Sequence, residues 1–174
     1  MSTGGVKIRP YMAEDFDHVS RLWKRINREL APPAMAEEFE QYIQSIITDE
    51  LVDIDKRFTP EFGSAFWVLI RCNKVVGCFG IERKDPEKCE LRRMYLDKAL
   101  RGGSLASWML KSAEVAAHDF GYRTMMLSTA EIQYSAVRFY EKQGYRRVHV
   151  EIANDASIKT VGGGLKRFHY QKKL

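Results

Sequence analysis

Apolar residues recur along the chain with two periods, one typical of helices and one typical of strands. Spacings of three or four residues predict four helices, while runs of aromatic and β-branched residues predict the strands between them. The predicted order is strand, two helices, three strands, helix, strand, helix and two strands. The predicted helices are 13–30, 35–47, 103–120 and 134–143. The predicted strands are 6–10, 65–70, 75–81, 89–96, 124–127, 145–152 and 168–171.

Short polar turns join the three strands in the middle of the chain. Cys72-Asn73 separates the first two of these strands, and Lys84-Asp85-Pro86 precedes the third, which predicts antiparallel neighbours. The segment from Leu51 to Phe62 has no clean period and is predicted to be a loop. Gly162-Gly163-Gly164 is predicted to be a flexible hairpin loop. No repeat or low-complexity linker divides the chain, so residues 1–174 are predicted to form one domain.

Composition is that of an ordinary globular protein. Hydrophobic residues make up 45% of the chain and charged residues 29%. No stretch approaches the roughly 18 to 20 apolar residues that span a bilayer, and Met1 to Gly5 lack the apolar core of a secretory signal. Cys72, Cys78 and Cys89 form no even set and are predicted to be free thiols in a reducing compartment. We therefore expect a cytoplasmic protein without a membrane segment.

The net charge of +5 favours anionic partners. The charge is dispersed in short pairs such as Lys24-Arg25 and Arg92-Arg93, which are usually solvated, so no nucleic-acid partner is expected. A basic nucleic-acid-binding module is kept as an alternative, and it predicts binding to generic DNA or RNA that weakens steeply with salt. The four histidines are dispersed without metal-ligand spacing, and no metal site is predicted.

A glycine turn at the start of the third predicted helix is the clearest candidate binding feature. It reads Arg101-Gly102-Gly103-Ser104-Leu105-Ala106 and follows a predicted strand. The first backbone N–H groups of a helix lack partners within it and bind phosphate well. Glycine lets a ligand approach closely, and Arg101 adds a charge-assisted donor. On these residues alone an ordinary tight turn stays open, whereas the P-loop and dinucleotide motifs do not match.

Two motifs resemble the GNAT superfamily of N-acetyltransferases. The family's phosphate motif, Arg/Gln-x-x-Gly-x-Gly/Ala, appears as Arg101-x-x-Ser104-x-Ala106, with serine in place of the first glycine. The second motif, Asn-x-x-Ala-x-x-x-Tyr-x-x-x-Gly-Phe/Tyr, appears as Gln133-x-x-Ala136-x-x-x-Tyr140-x-x-x-Gly144-Tyr145, with glutamine in place of asparagine. The resemblance implies an α+β, three-layer acyl-CoA N-acyltransferase fold of the GNAT type. Its sheet would be mixed, mostly antiparallel, with six or seven strands and about four flanking helices.

Further stretches resemble the camello-like branch of this superfamily. They are Gly63–Val68, Lys74–Gly77 and Ile132–Ala136. Proteins of that branch usually carry a hydrophobic membrane hairpin after the first helix, whereas residues 32–51 here have an amphipathic helical pattern. The membrane location and the particular substrates of the branch are therefore not expected for this chain.

The resemblance implies that acetyl-CoA is the cofactor and that its acetyl group passes directly to a primary amine in a ternary complex. Tyr140 is implied to protonate the leaving thiolate, with a packed core aromatic as the alternative. Glu90 is implied to be the general base, with an ordinary strand acid as the alternative reading and Glu82 or a water as alternative bases. Gln133 and Ser135 either bind the cofactor or cap a helix. The implied cofactor contacts are Met94, Tyr95, Leu96, Arg101, Gly102, Gly103, Ser104, Leu105, Ala106, Gln133 and Ser135.

The main alternative function is a domain that binds acyl-CoA as a sensor or scaffold without transfer. The serine and glutamine departures in the two motifs motivate it. The acceptor stays open between a small-molecule amine and a protein or peptide amine. The family's fold implies that it enters near residues 30–35, Phe58, Trp67 and residues 151–167. Homodimers are common in the family, but no sequence feature establishes one here.

Overall fold

A computed structural model describes residues 5–174 of the chain. The expectation that the first five residues carry no secretory signal therefore lies outside the described residues, apart from Gly5. The strands are β1 Val6–Pro10, β2 Ala65–Arg71, β3 Lys74–Arg83, β4 Lys88–Leu96, β5 Thr124–Ala130, β6 Arg146–Ala153 and β7 Leu165–Lys173. The helices are α1 Phe16–Leu30, α2 Ala36–Ile46, α3 Ile54–Arg57, α4 Leu105–Asp119 and α5 Tyr134–Lys142. No helix in this part of the chain is long and apolar enough to cross a membrane.

One seven-stranded sheet contains all these strands, in the order β1-β2-β3-β4-β5-β7-β6. Only β4 and β5 pair in parallel, and the other neighbours are antiparallel. The prediction of a mixed, mostly antiparallel sheet is thus confirmed, as is the predicted order of strands and long helices. β7 enters the sheet between β5 and β6, because it pairs with both of them.

Helices cover both faces of the sheet, which gives the three layers expected of this α+β fold. On one face, α4 and α5 pack through Met109, Leu110 and Tyr140. On the other face, α1, α2 and α3 pack through a second buried cluster that includes Trp23 and Phe66. The two clusters pack on opposite faces of the same sheet, so the strands between them are held in place from both sides.

The segment from Leu51 to Phe62 is not the loop that its irregular pattern predicts. α2 continues into a wider π-type turn over Ile47–Leu51, followed by the short helix α3 and a 3-10 turn at Pro60–Phe62. Ile54 and Phe58 are buried in the cluster beneath α1. Phe58 and Phe66 pack so closely on Gly80 of β3 that a Cβ there would lie within 3 Å of both rings. Tertiary packing, rather than local periodicity, therefore determines this segment.

Candidate functional site

β4 and β5 separate after a short stretch of pairing and leave a cavity between them. Their ladder contains three residue pairs, from Lys88 with Thr124 to Glu90 with Met126. The cavity beyond it has a volume of about 140 Å³. Four of the residues proposed from the sequence line its wall, namely Met94, Tyr95, Gln133 and Tyr140.

A bulge in β4 sets the direction of the side chains beside this cavity. The pairing with β3 runs from Tyr95 with Cys78 to Arg92 with Gly80, so β4 contributes one extra residue. Arg93 lies in this bulge with a φ of 50°. Consecutive strand residues normally point to opposite faces. Because of the bulge, both Arg92 and Arg93 reach the same carboxylate, that of Glu50.

Tyr140 reaches the cavity from α5. Its ring is buried between Phe139 and Tyr145, with centroids at 5.3 and 5.8 Å, and its hydroxyl lies 3.8 Å from Met94 Sδ of β4. Burial raises the pKa of this hydroxyl above its ordinary value. The phenol is therefore protonated at neutral pH, and a weak sulfur acceptor leaves its proton available.

Met94, Tyr95 and Leu96 follow one another along the open edge of β4. Met94 and Leu96 pack on the side of α4 and α5, and Tyr95 packs on the side of α1. The Tyr95 ring contacts Trp23, with centroids 6.0 Å apart. These contacts place the three side chains on the two faces of the sheet, so their backbone lies along the edge of β4 beside the gap.

The predicted glycine turn leads into α4, a helix of 15 residues that begins at Leu105. Gly102 has a φ of 83°, a conformation that favours glycine over other residues. Gly103 has an ordinary φ, and a Cβ built on it would meet nothing within 4 Å. Packing within the described residues therefore does not require glycine at position 103. Gly103 leaves open space beside the backbone, and the N–H groups at the start of α4 suit an anion there.

Arg101 is anchored to β4 rather than free in solution. Its Nε donates to the Leu96 carbonyl at 2.9 Å, and Nη2 lies 3.6 Å from Glu29. Ser104 makes no side-chain capping bond to the helix. The arginine thus connects the glycine turn to the edge of β4, and the two candidate binding features form a continuous surface.

Gln133 and Ser135 lie at the start of α5, where the side chain of the N-cap residue Gln133 makes no capping hydrogen bond. Gln133 Oε1 accepts hydrogen bonds from Thr129 Oγ1 at 2.7 Å and from the Ala130 amide at 3.1 Å. The Gln133 side chain therefore closes the end of β5 beside the cavity. Ser135 is exposed. A contact with the cofactor stays a prediction for both residues.

Glu90 is the last residue of β4 that pairs with β5, and its side chain is buried among charged side chains. Its Oε2 accepts from Lys159 Nζ at 2.7 Å and lies 2.8 Å from Lys84 Nζ. Burial alone would raise the pKa of Glu90, but the two lysines lower it to about 2. Glu82 binds the same Lys84 at 2.8 Å. Neither glutamate lines the cavity, and their role as general base stays a prediction.

The sequence did not identify the most buried carboxylate near the site. Glu50 has no exposed surface, and its two oxygens bind Arg92 Nη2 at 2.9 Å and the Arg93 guanidinium. Arg93 also donates to the Tyr42 hydroxyl at 2.8 Å and to the Ile158 carbonyl. These contacts join α2, β4 and the loop before β7. The two adjacent arginines in β4 were a sequence signal for an acidic partner, but Glu50 lies 42 residues before Arg92 and 43 before Arg93.

Two residues expected on the acceptor side lie elsewhere. Trp67 stacks on Phe79 at 5.2 Å and packs on the side of α4. Phe58 is buried against Phe66 at 5.0 Å. Of the expected segments 30–35 and 151–167, only Leu30 and the part from Lys159 to Arg167 reach the cavity. The alternation of β2 places Trp67 on the face opposite Phe66, which explains this difference.

The cysteines are free thiols, with Cys72 exposed and Cys78 and Cys89 buried. Burial raises the pKa of Cys78 and of Cys89 to about 12. Both thiols are therefore protonated and unreactive at neutral pH. Across residues 5–174, no group of three or more His, Cys, Asp or Glu side chains is placed to hold a metal ion.

Comparison with known proteins agrees with this geometry. The family model described as acetyltransferase (GNAT) domain matches residues 62–147, which include β4, the glycine turn and α5. Human N-acetyltransferase 8B is 30% identical over 112 residues, covering 62% of this chain and 49% of that protein. Danio rerio N-acetylaspartate synthetase is 31% identical over 108 residues, covering 62% and 38%. The chain thus spans about half or less of the length of these curated relatives.

Solved structures share the fold over nearly the whole chain. A PaiA N-acetyltransferase from Thermoplasma acidophilum, in complex with coenzyme A, has a TM-score of 0.75 and 18% identity, covering 97% of this chain and 99% of that one. A GNAT-family acetyltransferase from Staphylococcus aureus Mu50 has a TM-score of 0.74 and 19% identity, covering 97% and 98%. The chain belongs to the GNAT acetyltransferase superfamily. Within it, the likeness to N-acetyltransferase 8 confirms the resemblance to the camello-like branch.

Proposed function

We propose that the chain is an acetyl-CoA-dependent N-acetyltransferase that transfers acetyl directly to a primary amine in a ternary complex. The observation that carries this proposal is the gap between β4 and β5, which has Tyr140 in its wall and continues through Arg101 to the glycine turn. The names of the relatives N-acetyltransferase 8B and N-acetylaspartate synthetase support nitrogen as the acceptor atom. We further propose that residues 1–174 act as one domain, and the three free thiols support a reducing compartment such as the cytoplasm.

The residues of this chain suit acetyl-CoA in two places. The N–H groups at the start of α4, with Gly102 and Gly103, would hold the pyrophosphate. The backbone of Met94 to Leu96 would form hydrogen bonds with the amide-containing arm. Acetyl-CoA, when bound, supplies the acetyl group as a reactive thioester.

Tyr140 would donate a proton to the leaving sulfur. Its hydroxyl is protonated because burial raises its pKa, and its position 3.8 Å from Met94 Sδ puts it across the gap from the edge of β4. In a site that excludes water, a positioned side chain is the proton donor that the thiolate can reach. This role assigns to Tyr140 both a packed ring and a working hydroxyl.

Glu90 would accept the proton of the attacking amine through water. An ammonium has no lone pair, so the amine must lose a proton before it attacks. With Lys159 and Lys84 in place the pKa of Glu90 is about 2, which makes it a poor base. Proton transfer to Glu90 therefore requires Lys159 or Lys84 to move away from its carboxylate.

Incubation with acetyl-CoA and a panel of amines, amino acids and lysine peptides is expected to give N-acetylated product. Mass spectrometry should detect the product, because the exposed thiol of Cys72 would react with thiol reagents used to detect CoA. For direct transfer in a ternary complex, double-reciprocal plots of the initial rate against one substrate, at several fixed concentrations of the other, give lines that intersect. Parallel lines would contradict direct transfer. Tight CoA binding without any product would support the acyl-CoA sensor instead.

The Gly103→Ala substitution tests whether a ligand approaches the turn. The new methyl group meets open space, so the unfolding midpoint of the ligand-free protein should not fall. It should block close approach of the pyrophosphate and weaken CoA binding by about tenfold, equal to about 1.4 kcal/mol. Calorimetric titration with CoA measures this effect. An unchanged dissociation constant would remove the turn from the binding site.

A further inference from the structure

One lysine lines the gap between β4 and β5. In the described part of the chain, Lys159 is the single lysine among the lining residues. It lies in the segment that connects β6 to β7, and its side chain is 34% exposed. Its Nζ donates to Glu90 Oε2 at 2.7 Å. The amine of this lysine therefore lies on the carboxylate that is proposed to accept the proton of an attacking amine.

A tight turn holds the backbone of Lys159 in place. Ser157 and Thr160 are joined by backbone hydrogen bonds in both directions, at 2.9 and 3.1 Å, so Lys159 occupies the third position of a four-residue turn. The Arg93 guanidinium donates to the carbonyl of Ile158, the residue before it. The backbone of the turn is thus connected to β4. The four-carbon stem of a lysine stays flexible, so its amine can move while the turn does not.

The direction of the cofactor brings its reactive end toward this amine. The proposed pyrophosphate site is connected to β4 at Leu96. The Tyr140 hydroxyl lies beside Met94, further along the gap. The gap ends at Glu90, because this residue is the last of β4 that pairs with β5. The thioester is at the end of the arm remote from the pyrophosphate, so an arm that enters at Leu96 carries its acetyl group toward Glu90 and Lys159.

The surroundings of Lys159 make its amine a better nucleophile than an exposed lysine. A lysine in water is almost fully protonated at neutral pH, and an ammonium has no lone pair. Burial lowers the pKa of Lys159, and the neighbouring Arg92 and Lys84 lower it further. These effects outweigh the contact with Glu90, which raises it. A larger fraction of this amine is therefore unprotonated and able to attack.

We propose that the chain acetylates itself at Lys159, with its own bound acetyl-CoA as the donor. The proposal rests on the acetyl transfer proposed above, and its additional content is a modification site within the chain. The ammonium of Lys159 first loses a proton to water, and Nζ then attacks the acetyl carbon. The N–C bond forms, the C–S bond breaks, and the sulfur takes a proton from Tyr140. The nitrogen loses a second proton, which restores the tyrosine hydroxyl, so one proton is released in total.

Site-resolved mass spectrometry tests this proposal with the full chain and acetyl-CoA as the only reactants. Acetyl-CoA also acetylates exposed lysines chemically, so Lys111 serves as the internal reference, since it is 72% exposed and lies outside the cavity. Digestion at acidic residues keeps the two peptides comparable, because acetylation blocks cleavage at lysine. We expect Lys159 to react at least about 100-fold faster than Lys111, the lower end of the contribution of positioned acid–base groups. Equal rates would overturn the proposal.

The dependence on cofactor concentration distinguishes enzymatic from chemical acetylation. The rate at Lys159 should reach a plateau as acetyl-CoA is raised, and excess CoA should suppress it by occupying the same site. The rate at Lys111 should rise in proportion to acetyl-CoA and should not respond to CoA. A rate at Lys159 without a plateau would mean that its acetylation is chemical only, which contradicts the proposal.

Dilution and substitution test whether the reaction occurs within one molecule. The first-order rate constant at Lys159 should be the same at low and high protein concentration, whereas a constant that rises in proportion to concentration would rule out the intramolecular step. Lys159→Gln should abolish the fast addition of one acetyl group to the intact protein. Lys111→Gln is the matched control and should leave that addition unchanged. Fast acetylation that persists in Lys159→Gln would place the modification elsewhere.

An amine panel in the same experiment separates this proposal from the proposed acetyl transfer. Product from added amines without fast acetylation of Lys159 overturns self-acetylation alone. Fast acetylation of Lys159 without product from any amine supports self-acetylation and contradicts transfer to a separate amine. The absence of both reactions overturns both proposals.

Discussion

Replacement of Tyr140 by phenylalanine is expected to lower kcat by about 100-fold or more, the usual contribution of a positioned proton donor. The substitution removes only the hydroxyl, so the ring keeps its packing against Phe139 and Tyr145. Affinity for acetyl-CoA should stay nearly the same, because the side chain is proposed to act on the leaving sulfur and not to hold the cofactor. Steady-state kinetics and calorimetric titration with CoA measure the two quantities.

Tyr145→Phe is the matched control for this experiment. Tyr145 packs against Tyr140, but its hydroxyl contacts Glu114 at 3.3 Å and Met125 at 3.1 Å and lies outside the cavity. Its loss should leave kcat close to the wild-type value. If Tyr140→Phe turned over as fast as this control, Tyr140 would have no part in proton transfer.

Replacement of Glu50 by glutamine is expected to lower the free energy of unfolding by about 3 to 5 kcal/mol, the usual cost of removing one partner of a buried ion pair. Glu50 is fully buried and is the shared carboxylate of Arg92 and Arg93. Its loss leaves two guanidinium groups inside the protein with no carboxylate between them. Urea unfolding followed by circular dichroism measures the change.

Glu40→Gln is the control, because Glu40 makes an exposed pair with Arg28 and such pairs contribute little to stability. The pH dependence adds a second readout. Burial raises the pKa of Glu50, but Arg93 and Arg92 outweigh burial and lower it overall. The stabilisation is therefore present above the ordinary carboxyl pKa and is lost as pH falls through the lower folded value. Glu50→Gln should remove this part of the acid sensitivity, and a variant as stable as Glu40→Gln would contradict the role of Glu50.

The sequence predicted the order of strands and long helices because each element has its own local period. It also predicted that Met94, Tyr95 and Tyr140 belong to one site, since the two motifs that contain them resemble a known family. The structure brings these residues to one cavity. Local patterns were sufficient here because strand, turn and helix follow one another directly in the chain.

The charged part of the site could not be predicted in the same way. Arg93 reaches Glu50 only because one extra residue in β4 changes the alternation of side chains. Lys159 reaches Glu90 across 69 residues of sequence. A bulge and two long-range ion pairs leave no periodic signal. The short helix α3 was missed for a similar reason, because four residues are too few to show a helical period.

Because the ladder between β4 and β5 is short, the sheet consists of two parts, of four and three strands, which are joined by only three residue pairs. Beyond the ladder, β4 and β5 each present a backbone edge that the other strand does not cover. The gap would suit an extended ligand with amide groups of its own, held by backbone groups of the two strands.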